Sequence, residues 1–202
     1  MATSGWTNLE RLGPVGQTLR TLGESALANS EIRAGGAKTV FRNAIKDLSE
    51  VEKQNLIDVL DVGIAPLNSK IKIAAEAIKA INAQIEKEAT GLLKLKRGDS
   101  VIPWIGRENY FPHLLDVAKM DAILSNKQSS RYIEMVKNIA KKHGGSFAEA
   151  ENLLDDMVLR HKAQNFGPLE KSRQFDSPVW VRDVDAALSA YYDGAFKRLE
   201  LA

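Results

Sequence analysis

Between Leu67 and Ile85, apolar residues return every three or four positions: Leu67, Ile71, Ala74, Ala75, Ile78, Ile81 and Ile85. Only a helix of 3.6 residues per turn gathers that spacing onto one side. Lys70, Lys72, Glu76, Lys79 and Glu86 mostly fill the other side. The pattern predicts an amphipathic helix of about six turns, ending near Gly91. Its narrow seam of Ala and Ile suits close packing against another helix.

The same period runs through most of the chain, and no hairpin signal separates alternating strands. A first stretch begins near Trp6, with Leu9, Leu12, Leu19 and Leu22 towards one face, and a break is expected at Gly13-Pro14. A second spans about Glu24 to Asp47. Its apolar residues are Leu27, Ile32, Val40, Phe41, Ala44 and Ile45, and Gly35-Gly36 weakens its middle. Ser49 and Glu52 form a capping-box signature for a third, with Val51, Leu56, Val59 and Leu60 as its apolar side and Gly63 and Pro66 at its end.

Beyond the long helix, a loop at 98–116 precedes a helix near Ser125–His143. Ser125 with Gln128 is its expected cap, Gly144-Gly145 its stop, and Tyr132, Met135, Val136 and Ile139 its buried stripe. Ser146 with Glu149 opens a further helix bearing Phe147, Ala150, Leu153, Leu154, Met157 and Val158. A second irregular stretch, 163–181, leads to a last helix from about Asp183. It carries Val184, Ala187, Leu188, Tyr191, Ala195 and Leu199. The expected fold is all-α: an irregular bundle of six to eight helices with two ordered, aromatic-rich connectors. The expected division is an N-terminal helical subdomain at 1–92 and a loop-rich C-terminal one at 93–202, packed as one unit.

The connectors hold the unusual residues. Six of the thirteen aromatics lie there: Trp104, Tyr110 and Phe111 in the first, Phe166, Phe175 and Trp180 in the second. Solvated loops seldom carry such side chains, so packing explains them more economically than an exposed binding patch. Arg107, Asn109, Tyr110, Phe111, Pro112 and His113, with Arg173, Phe175 and Trp180, are therefore expected to form a structural clasp. Pro112 stiffens it, and Arg107 and Arg173 tie it to carboxylates or backbone carbonyls.

Arg107-Glu108-Asn109-Tyr110-Phe111-Pro112-His113 resembles the RxNYFPH segment of very large multi-domain proteins encoded by bacteriophages. Leu12-Gly13-Pro14-Val15-Gly16, Leu48-Ser49-Glu50-Val51-Glu52, His143-Gly144-Gly145-Ser146 and Leu169-Glu170-Lys171-Ser172-Arg173 resemble further segments of that region, in the same order. So does Ala187-Leu188 with Tyr191, Ala195 and Arg198-Leu199. The resemblance implies a helical connecting module between enzymatic or structural domains, with no chemistry to carry over. It implies a phage-encoded protein located in the host cytoplasm or the virion. Its partners would be other phage protein domains or subunits, or further copies of itself.

The residues offer little for catalysis. There are no cysteines, which excludes disulfides, thiol nucleophiles and thiolate metal sites. His113, His143 and His161 stand in no metal-binding spacing. Asp155 and Asp156 are helix neighbours about 100° apart, and Asp183 sits where an N-cap belongs. No catalytic set, metal or cofactor is expected. No apolar run reaches the roughly 18 residues of a membrane span, and the N-terminus lacks signal-peptide features.

Charge is balanced overall, with 28 basic and 26 acidic residues and a net of +2. Two local clusters remain, Lys94, Lys96 and Arg97 before the first connector and Arg131, Lys137, Lys141 and Lys142 after it. A solvated helix face is the usual meaning of such a run. Phosphate contact is the alternative, and it would make the chain a nucleic-acid-binding accessory module.

Overall fold

The computed structural model describes residues 13–97, 111–112, 116–162 and 182–201. Among these residues it has seven α-helices and no strand, as the periodicity requires. The helices are α1 (Gly13–Ile45), α2 (Glu50–Asp61), α3 (Ser69–Arg97), α4 (Val117–Leu124), α5 (Ser130–His143), α6 (Phe147–Lys162) and α7 (Val184–Glu200).

The chain divides into two compact units that follow contacts and not chain order. One comprises residues 1–48, 68–108 and 192–202; the other comprises 49–67 and 109–191.

In the first unit α1 packs on α3. From Gly13 onward, the two N-terminal stretches expected from the sequence are one helix of 33 residues. Gly13, at φ 65°, and Pro14 stand at its start, where a break is expected, and Trp6, Leu9 and Leu12 lie outside the described residues. Proline is harmless in a first turn, where its missing N–H would have had no helical partner. Gly35 and Gly36 lie on the exposed side and do not break the helix.

The buried line of α1 is Gly16, Gly23, Ser30, Ala34, Ala37, Phe41 and Ile45. It is built mainly of small residues, so the larger apolar ones fall elsewhere. Leu19, Leu22, Ile32 and Val40 are exposed, against expectation. On α3, Ile71, Ala74, Ala75, Ile78, Ile85 and Ala89 are buried, Ile81 is half-buried and Leu67, before the helix, is exposed. Asn68 caps α3 by accepting the Ile71 N–H at 3.0 Å. The helix runs six residues past Gly91 to Arg97, because one glycine costs only about 1 kcal/mol relative to alanine.

In the second unit, Ser49 caps α2 with the full reciprocal box: its side chain accepts the Glu52 N–H, and the Glu52 carboxylate accepts the Ser49 N–H at 2.8 Å. Gly63, at φ 81°, follows the end of α2. Leu56, Ile57, Val59 and Leu60 are buried, while Val51, expected beside them, is exposed.

Between the expected 98–116 loop and the helix expected from Ser125 stands α4, which the pattern does not show. Asp116 caps α4, accepting the Lys119 N–H at 3.0 Å. Ser125, expected to start α5, instead ends α4, and Ser129 caps α5 by accepting the Tyr132 N–H at 3.2 Å. Gly144 closes α5 in the left-handed conformation, as expected. The Ser146–Glu149 box opens α6, with the Glu149 carboxylate 2.7 Å from the Ser146 N. A core joins these helices: Met120 and Ile123 of α4, Tyr132, Met135, Val136 and Ile139 of α5, and Ala150, Leu154 and Val158 of α6. Phe147, expected on that stripe, is partly exposed.

Asp183 caps α7, accepting the Ala186 N–H at 3.0 Å. All six apolar residues expected on α7 are buried, and so are Tyr192 and Phe196.

Candidate functional site

The clasp is described at two of its nine residues. Phe111 is 1% exposed and Pro112 is buried, both in the second unit. Arg107, Asn109, Tyr110, His113, Arg173, Phe175 and Trp180 lie outside the described residues. His143 ends α5 and is exposed; His161 falls within α6, its side chain outside the description.

The carboxylates singled out by sequence sit in structural roles. Asp183 caps α7, Asp185 accepts the Ser189 hydroxyl at 2.8 Å, and Asp155 lies 3.8 Å from Lys127. Among the described residues no group of three or more His, Asp or Glu side chains is placed to hold a metal. No helix among them is long and apolar enough to cross a membrane.

The basic clusters are placed on helices. Lys94, Lys96 and Arg97 belong to the last turns of α3, with side chains outside the description, as is that of Lys142. Arg131, Lys137 and Lys141 are exposed on α5 and close no ion pair among the described residues.

The tightest polar assemblies escape sequence reading. In the first unit, the Arg33 guanidinium donates from Nη1 to Glu200 at 2.7 Å and from Nη2 to Glu88 at 2.5 Å. It also lies 4.6 Å from the Phe196 ring centroid. Burial works against its charge, but the hydrogen bonds to Glu200 and Glu88 outweigh it and push the Arg33 pKa up. One side chain thus joins α1, α3 and α7. Nearby in the same unit, Lys38 of α1 pairs with Asp193 of α7 at 2.5 Å.

In the second unit, the Tyr132 hydroxyl donates to Glu151 at 2.5 Å, joining α5 to α6. Lys127 stands 5.7 Å from the Tyr132 ring centroid and 3.9 Å from Glu151. Burial first, and then the Glu151 hydrogen bond, raises the Tyr132 pKa. Arg182 ties the start of α7 to α2, donating to Gln54 at 2.8 Å and to Asp58 at 2.9 Å, while Gln54 donates back to the Arg182 carbonyl at 2.9 Å. These partners are separated by as many as 167 residues, so no spacing rule could pair them.

Chemically, these arrangements hold helices. The Tyr132 phenol donates to one carboxylate, and the Arg33 guanidinium is shared by two, so each links neighbouring helices. Comparison with protein-family models, curated proteins and solved structures finds no match to this chain.

Proposed function

We propose that the chain is a non-enzymatic helical interaction module, presenting helix surfaces for assembly within a phage-encoded protein, as the RxNYFPH resemblance implies. One observation carries the reading. On α1, Val15, Leu19 and Leu22 are 67%, 46% and 62% exposed. Their spacing of four and three places them on one side of the helix, in line with Ala26. Exposed apolar residues scattered singly mean nothing, whereas a line of them suits a partner.

Thr18, Ser25 and Asn29, which border this line, are exposed and uncharged. Two copies can therefore lie antiparallel along it without opposing like charges. The partner readable from this face is a second copy of the chain, joined through an isologous contact.

Light scattering of the full chain at rising concentration tests the reading, beside the Leu19→Lys/Leu22→Lys variant. A homo-oligomer that forms with concentration and is dissolved by the double substitution supports it. A protein that stays monomeric at every concentration, or an oligomer indifferent to the two lysines, overturns it.

A further inference from the structure

We propose that the solvent face of α5 binds the phosphate backbone of a nucleic-acid duplex through Arg131, Lys137 and Lys141, without reading base sequence. The proposal is independent of the assembly face on α1.

It begins from local charge. Several cations elsewhere find a carboxylate: Arg20 pairs with Glu24, Lys53 with Glu50, Lys119 with Asp116 and Arg182 with Asp58, each at 3.0 Å or less. α5 itself, residues 130–143, contains four basic residues against one acidic, a formal +3 in a chain whose net charge is +2. Arg131, Lys137 and Lys141 are exposed and without an ion pair among the described residues. Even Glu134, three residues from both Arg131 and Lys137, closes a bridge to neither.

Helix physics does not account for these positions. Arg131 stands in the first turn after the Ser129 cap, where the helix dipole disfavours a cation. Lys137 and Lys141 are four residues apart, where like charges repel. The dipole favours only Lys141, in the last turn. Two local rules are broken on the exposed half of one helix, where Arg131 stands about 120° around the axis from Lys137, and a surface that violates local preferences without compensation is where a ligand is expected.

The chemistry of that ligand follows from the charge and the length. At 1.5 Å per residue, Arg131 to Lys141 spans about 15 Å along the helix. A nucleic-acid duplex presents about one negative charge per 1.7 Å of its axis, so cations spread over that length meet several phosphates at once. The opposite side of α5 carries Tyr132, Met135, Val136 and Ile139 into the core. The cations are thus held on a packed element, while their long side chains remain free to adapt. Contacts from such cations to phosphates fix position without carrying sequence information, so binding independent of base sequence is expected.

The test is fluorescence anisotropy of the full chain with a labelled 20-base-pair DNA duplex, and with an RNA duplex of the same sequence, at 50 and 150 mM salt. Three phosphate contacts contribute about −2.7 to the slope of log affinity against log salt, about a 20-fold loss over that range. The Arg131→Gln/Lys137→Gln/Lys141→Gln variant should bind at least about 20-fold more weakly at 50 mM salt, with a slope shallower by about 2.7. Arg131→Gln alone should flatten the slope by about 0.9. Glu134→Gln removes the one carboxylate of the face and should tighten binding.

Similar affinity for both duplexes supports phosphate recognition, and a preference for one keeps that chemistry and names its source. Absence of binding to either duplex at about 100 μM protein, the weak end of non-specific affinity, overturns the proposal. So does binding that the triple variant leaves unchanged. A salt-sensitive homo-oligomer dissolved by the triple variant, with no duplex bound, assigns the face to a second copy and overturns it too.

Discussion

The ring of Tyr192 lies against that of Phe41, with centroids 5.6 Å apart and planes inclined by 50°. Both side chains are fully buried, and the contact fastens the middle of α7 to the C-terminal part of α1 in the first unit. The tilted geometry sets the positive edge of one ring towards the electron-rich face of the other, a gain beyond the area buried. The Tyr192 hydroxyl adds a longer bond to Asn82 of α3, at 3.3 Å. Phe41→Ala should therefore cost about 3–5 kcal/mol, through lost transfer energy and the cavity left behind. Tyr192→Phe keeps the ring and loses only the long hydrogen bond, at a cost of about 1 kcal/mol or less. Urea denaturation followed by circular dichroism separates the two, and equal losses would show that the hydroxyl, not the ring, holds the contact.

The Arg33 ties lead to a second expectation. Its side chain is 29% exposed, and those of Glu88 and Glu200 are 33% and 20% exposed. Arg33→Met keeps an apolar stem near Phe196 but leaves two carboxylates facing each other without their shared cation. A loss of about 1.5–3 kcal/mol is expected, the range for hydrogen bonds to charged groups. Arg33→Lys should recover only part of it, because one ammonium lacks the planar fork that reaches both carboxylates. In a double-mutant cycle with Glu200→Gln the two losses should not add. Additivity would show that the pair contributes nothing to stability.

Acid should loosen the start of α6 in a defined way. The Glu149 carboxylate is held below its usual range, first by the Ser146 backbone N–H and then by the Ser146 hydroxyl. The folded pKa lies below the unfolded value of about 4.3. The cap thus contributes its full stability above that value and loses it as pH falls through the lower folded one. The Ser146 amide resonance should titrate with a midpoint below about 4.3. Glu149→Gln should abolish that titration while its amide oxygen still accepts the bond. A midpoint at or above the ordinary glutamate value would contradict the cap.

What the sequence makes legible follows the range of the interaction. The stripes of α5 and α7, the Ser49 and Ser146 boxes, Asp183 and Gly144 depend on residues within about two turns, and all stand where spacing places them. α1 misleads because its buried line uses Gly16, Gly23, Ser30 and Ala34, residues that read as breaks or as nothing. Its conspicuous leucines then suggest a core face that is in fact exposed. α4 has only eight residues, too few for periodicity to show, and its signal was the single cap Asp116. Ser129 carries no capping-box signature, because the third helical position holds Tyr132 rather than a glutamate or glutamine, whereas Ser125 with Gln128 does carry one. The assemblies around Arg33 and Arg182 join residues far apart in the chain, and no local pattern carries their pairing.

The NYFPH segment provides the last test. Phe111 is 1% exposed in the second unit, and Pro112 beside it is buried. A proline restricts its own φ and biases the residue before it towards extended backbone, so this pair is stiff before folding and loses less entropy on burial. A phenylalanine held in that way acts as an anchor for the segment around it. Phe111→Ala should lower stability by about 3–5 kcal/mol, as truncation of a buried aromatic does. Phe111→Leu, which refills most of the volume, should lose markedly less. His113→Gln should leave a folded protein with its partner binding intact, because the segment is proposed as a structural clasp rather than a reacting centre. A Phe111→Ala variant that unfolds at the same urea concentration as the parent would remove the anchor. A well-folded His113→Gln variant that has lost a measurable activity would falsify the clasp and place chemistry at this segment.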